Sequence, residues 1–251
     1  MLMLIINALL IPFAIIMIGY GVRLLAMRHV PRKLLIFWTY PGVAIHELSH
    51  AGACIPALAK VQKITLFTAS GEGEVQHTQP RLKYVGPVMI SMAPLVGGIA
   101  ALVVLNWLLG YPFRIGEVSG DAARSSKLLY ALILTTVERA PSALWNANWL
   151  DVRTWAMLYL GVSISLTMMP SKQDMKNCAL GMVVVIALTL VIWLLLEQVL
   201  GLSEGAGLSR AVTWVLGFSR VALFFYLIDL LLILILWGIG KMLAGQKQTK
   251  R

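Results

Sequence analysis

The sequence predicts an all-α polytopic membrane protein with about six transmembrane helices and one small membrane-associated β-hairpin. Three observations carry this. Of 251 residues, 59% are hydrophobic and only 13% are charged, about half the charged share of a soluble domain. Apolar runs of roughly the 20 residues needed to cross a bilayer recur along the chain. One polar stretch, residues 60–84, breaks the pattern with loose alternation around a glycine-rich turn. Residues 1–251 read as a single integral membrane domain, with no internal repeat and no separate soluble unit.

The spans follow in order. The first is expected over residues 2–22; it is long and lacks a basic leader, so it reads as a retained span rather than a cleaved signal. Residues 23–33 carry Arg23, Arg28, His29, Arg32 and Lys33 and read as a surface loop. The second span is expected over residues 34–58, bent or interrupted at Pro41-Gly42 and ended near Pro56. Val61-Gln-Lys-Ile-Thr-Leu-Phe, then Ala-Ser-Gly-Glu-Gly, then Glu74-Val-Gln-His-Thr give the hairpin.

The third span is expected over residues 85–109, with Pro87, Pro94 and Gly97-Gly98 weakening its middle and permitting close helix packing. The apolar run of residues 128–137 is too short to cross and reads as re-entrant or interfacial. Trp145 and Trp149 suit the interface. A fourth span is expected over residues 150–169, a fifth over 178–200 and a sixth over 217–240, with a glycine-rich loop at 201–209 and a basic, disordered tail from Lys241 to Arg251.

The formal charge of +10 comes from 21 Lys and Arg against 11 Asp and Glu. In a chain this apolar, that balance points to basic loops beside anionic lipid rather than to nucleic acid. The basic residues divide almost evenly between the two sides of six spans, so charge alone sets no orientation. Cys54 and Cys178 fall in or beside apolar runs and read as packing residues, not as a disulfide.

The chemistry concentrates in His46-Glu47-Leu48-Ser49-His50, inside the second span. On a helix, positions i and i+4 share a face, so both imidazoles can turn toward one metal ion. Glu47 lies beside that face, within reach of a water activated there. Two of the four histidines of the chain stand in these five residues. Ionisable groups within membrane helices are expensive and mark functional sites. A polar patch at a helix interface, with the histidines hydrogen-bonded and no metal, is the plainer alternative.

A third ligand is not fixed by the residues themselves. Cys54 shares the helix face but lies two turns from His46, too far for one ion to hold all three at bond lengths of about 2 Å. Asp229 sits inside an apolar helix, where an interhelical hydrogen bond or a pair with Arg220 serves as well. Asp174 follows Pro170-Ser171 with the spacing of a helix start, so capping and ligation are equally open. His77, in Glu74-Val-Gln-His77, is placed to line the site without being a ligand.

His46-Glu47-Leu-Ser-His50 in an apolar helix, then a hairpin, a helix with Pro94 and glycines, and a later Pro170-Ser-Lys-Gln-Asp174 together resemble the site-2 protease family of intramembrane zinc metalloproteases. The resemblance spans roughly residues 34–176, leaving residues 1–33 and 177–243 as additional helices. It implies His46, His50 and Asp174 as ligands of one Zn2+ per chain, and Glu47 as the catalytic residue that activates water. It also implies a prokaryotic inner-membrane enzyme whose hairpin, active site and termini face the cytoplasm. Met175 follows Asp174 where the family usually has glycine, and no PDZ domain is present.

The expected activity is zinc-dependent hydrolysis of peptide bonds in or near transmembrane segments of other membrane proteins. Two other classes use the same residues: a metal-ion or proton transporter, and a non-catalytic scaffold that keeps the zinc fold.

Overall fold

The computed structural model describes residues 2–68, 71, 73–110, 127–171, 173–174, 176 and 206–248. The expected fifth span, with Cys178, lies outside the described residues. The described elements are α1 (Leu2–His29), α2 (Arg32–Cys54), β1 (Val61–Thr65), β2 (Glu74–His77), α3 (Val85–Leu108), α4 (Leu128–Trp145), α5 (Val152–Thr167) and α6 (Ala206–Gln248). The protein is mostly helical, with a small two-stranded sheet. By length and composition two segments are able to cross a membrane, Val85–Leu108 and Ser219–Lys241.

Several boundaries depart from the sequence expectation. The basic stretch after the first span is not a loop, because α1 runs on to His29 and α2 resumes at Arg32. Arg28 and His29 close α1, where positive charge suits the carbonyl end of a helix. The Arg23 side chain donates to the Met169 carbonyl at 3.1 Å, tying that turn to the end of α5. The chain past residue 240 is not disordered as far as Gln248, since α6 continues through it. The Lys241 ammonium sits 4.3 Å from the Trp237 ring centre, a contact that favours another helical turn. Part of the expected glycine-rich loop also joins α6, from Ala206 onward. Residues 128–137 are the first half of a longer helix, α4.

Pro41 does not interrupt α2, because α5 takes over the backbone groups it disturbs. A proline frees the carbonyl four residues earlier. The freed Phe37 carbonyl accepts from the Tyr159 hydroxyl at 3.0 Å, and the Gly42 N–H donates to Ser163 Oγ at 2.8 Å. These contacts pair residues 37, 42 and 46 with 159, 163 and 167, so α2 and α5 run parallel. Gly42 is required there: a Cβ would collide with the Ser163 carbonyl and the Thr167 hydroxyl.

The main core joins α1, α3, α4, α5 and α6 through residues such as Ile15, Leu102, Leu132, Ile164 and Phe225. Asp229 lies within it and accepts from Ser165 Oγ at 2.7 Å, the interhelical bond that was one of its expected roles. Elsewhere the surface is strongly apolar. Phe13, Phe37, Val96, Trp107, Leu231 and Leu234 are all exposed. Trp145, Trp149 and Trp155 cluster around the α4–α5 corner, with the last two stacked edge to face at 5.3 Å.

The hairpin is antiparallel, pairing Val61 with His77 and Thr65 with Glu74, with a bulge between Val61 and Lys63. It lies along α2. Phe67 stacks on Tyr40 at 3.8 Å between ring centres, and Gly71 packs on Ile36. Cys54 is a free thiol, buried beside Ala57 and Ile90.

Candidate metal centre

α2 presents His46 and His50 one turn apart, and each imidazole is held from behind by a backbone carbonyl. His46 Nδ1 is 2.6 Å from the Thr167 carbonyl, and His50 Nδ1 is 2.8 Å from the Ile90 carbonyl. A carbonyl oxygen only accepts, so both Nδ1 atoms carry the proton and both Nε2 atoms present a lone pair. Those two Nε2 atoms face each other at 3.2 Å. That contact is satisfied either by a proton on one Nε2, as a hydrogen bond, or by a metal ion between the two.

Asp174 completes the group. Its Oδ2 is 3.6 Å from His50 Nε2. The carboxylate is fixed by a reciprocal cap in which the Ser171 N–H donates to Asp174 Oδ2 at 2.8 Å and the Asp174 N–H donates to Ser171 Oγ at 3.1 Å. Capping and facing the histidines are thus compatible roles for Asp174.

The ligand atoms of His46, His50 and Asp174 all lie within 4.8 Å of one another, the one such group of three among the described residues. Around tetrahedral zinc, with bonds near 2 Å, neighbouring ligand atoms stand about 3.3 Å apart. The separations of 3.2 and 3.6 Å are close to that edge. Two neutral imidazoles and one carboxylate also suit zinc and leave a fourth position open. The residues therefore fit a metal ion.

Glu47 is buried, at 7% exposure, and borders the same cavity as His46, His50 and Asp174. That cavity, about 710 Å³, is walled by β2 and the residue before it (Gly73, Glu74, Val75, His77), by Pro87, Ile90 and Ser91 of α3, and by Ser171, Gln173 and Asp174. Gly73 touches Glu47 so closely that a Cβ would lie 2.8 Å from Glu47 Cδ and Oε1. On the far side, Gly97 of α3 accommodates Ser49 and Gly98 accommodates Met168, which draws α3 against both α2 and α5.

The structure thus brings together His46, Glu47, His50 and Asp174, with His77 on the wall, and leaves Asp229 and Cys54 elsewhere. The carbonyls of Thr167 and Ile90 have no signature of their own in the sequence, and neither does the contact of Gly73. The readable trace is a proline four residues after Ile90 and another three residues after Thr167. Comparison with protein-family models, with curated proteins and with solved structures returns no match to this chain.

Proposed function

We propose that this chain is a multi-pass intramembrane zinc metalloprotease of the site-2 protease type, cutting peptide bonds in or near transmembrane segments of other membrane proteins. The observation that carries the reading is the pair of Nε2 atoms 3.2 Å apart with Asp174 at 3.6 Å, set beside a buried glutamate on an open cavity. The exposed apolar side chains and the tryptophan cluster support a bilayer surrounding, and two helices are long and apolar enough to cross it. The resemblance in residues 34–176 supports an inner-membrane location with the site toward the cytoplasm.

Bound zinc supplies a Lewis acid for the scissile carbonyl and lowers the pKa of water to about 7. Glu47 takes the proton of the attacking water and delivers it to the leaving amine, as general base and then acid. A helical substrate satisfies its own backbone bonds, so it must unwind before the site can engage it. Among the described residues the sheet has two strands, so β2 offers an outer edge beside the cavity, suited to hold an unwound segment as an added strand.

The test is hydrolysis of membrane-segment substrates by purified protein in lipid, with Glu47→Gln as the comparison. The variant is expected to retain zinc and to lose at least the ~100-fold attributable to general acid–base catalysis. Cleavage undiminished in Glu47→Gln would sink the protease assignment. Ion flux across sealed vesicles in place of cleavage would favour the transporter.

A further inference from the structure

We propose that Pro94 is a positioning residue for the metal site: by depriving the Ile90 carbonyl of its helical partner, it creates the acceptor that orients His50. This inference rests on the metal-site reading above.

In an unbroken helix the Ile90 carbonyl would accept from the N–H of residue 94. Proline has no N–H, and its ring crowds the carbonyl four residues back and turns it aside. Pro94 lies buried inside α3, which continues through it from Val85 to Leu108. A carbonyl freed in such a place needs another donor. His50 Nδ1–H, from the neighbouring helix, is that donor at 2.8 Å. The exchange fixes the His50 tautomer, with Nδ1 protonated and Nε2 presented toward His46 and Asp174.

The rest of the site repeats the device in a second form. The Thr167 carbonyl would accept from the N–H of residue 171 if α5 continued. Pro170 stands in that turn, the Ser171 N–H goes to Asp174 Oδ2, and the Thr167 carbonyl receives His46 Nδ1–H at 2.6 Å. Pro41 provides the contrast. Its freed Phe37 carbonyl takes the Tyr159 hydroxyl at 3.0 Å, a contact that holds α2 to α5 without touching a histidine. So one interior proline supports packing, and Pro94 supports ligand orientation.

The test uses the full-length protein in lipid nanodiscs and compares the zinc dissociation constants of wild type, Pro94→Ala and Pro41→Ala, by competition with a chromogenic chelator. Alanine at 94 restores an N–H that competes with His50 for the Ile90 carbonyl. Pro94→Ala is expected to weaken zinc binding by roughly the 10–100-fold typical of lost outer-shell support. Pro41→Ala is expected to leave zinc affinity unchanged. Equal affinity in all three proteins, or equal weakening in both variants, overturns the proposal. Nitrogen-15 histidine spectra of the zinc-loaded wild type give a readout that needs no variant. His50 should show a protonated, exchange-protected Nδ1 and metal at Nε2, and metal at Nδ1 overturns the proposal. A wild type that binds no zinc removes the metal reading and this inference together.

Discussion

Asp174 and Asp229 make an instructive pair. Each is an acid beside or within an apolar helix, and each is bonded to a serine. Asp229 is 1% exposed, accepts from Ser165 at 2.7 Å, and has a second carboxylate oxygen with no hydrogen-bond partner among the described residues. Asp174 borders a cavity and has His50 Nε2 at 3.6 Å. The difference lies in their neighbours. Asp229 is buried and its hydrogen-bond partner is the Ser165 hydroxyl, so its carboxyl joins α5 to α6. Around Asp174 stand imidazole lone pairs held in place from behind, so its carboxylate can share an ion. A buried acid with a serine partner serves to join helices; an acid beside converging imidazoles is placed where it could hold a metal ion.

The contrast can be sharpened at several sites. The largest effect is expected at the Asp174 end, from Gly73→Ala. Its Cβ meets the Glu47 carboxyl, and if Glu47 is the general base proposed above, its displacement by about 1 Å is expected to cost around 100-fold in rate. Zinc content and the melting temperature should stay near wild type, and a loss of zinc instead would mean that the hairpin shapes the ligands rather than the glutamate. Asp229→Ala should do the reverse. It leaves the Ser165 hydroxyl without its acceptor and lowers stability by about 1–3 kcal/mol with zinc retained. Unfolding in detergent beside a zinc assay would separate the two. Tyr159→Phe is expected to be the mildest, at about 1 kcal/mol from the unpaired Phe37 carbonyl, again with zinc unchanged.

Much of this was legible in the chain, and unevenly so. The i, i+4 spacing of His46 and His50 places them on one helix face whatever surrounds them. The alternation around Ser-Gly-Glu-Gly locates the hairpin to within about two residues. Ser171 and Asp174 carry the spacing of a cap, which the structure shows in both directions. What could not be read was the choice among acids, because it depends on α5 running parallel to α2 and ending beside His46. A parallel pairing over more than a hundred intervening residues has no local signal. Helix ends were misjudged for a related reason. Arg28, His29 and Lys241 look like loop residues by charge, yet each lies in a helix, and Lys241 is held there against Trp237. Pro41 misled in the opposite direction, since its freed Phe37 carbonyl finds a partner on α5 and α2 runs through it without interruption, whereas α3 runs through Pro94 as expected.

The most direct test of the central claim is the zinc content of purified protein, with wild type measured beside Asp174→Ala and Asp229→Asn. The account predicts about one zinc per chain in the wild type, lost in Asp174→Ala and retained in Asp229→Asn. A wild type that takes up no zinc when it is supplied, or zinc that survives Asp174→Ala and disappears with Asp229→Asn, would contradict it.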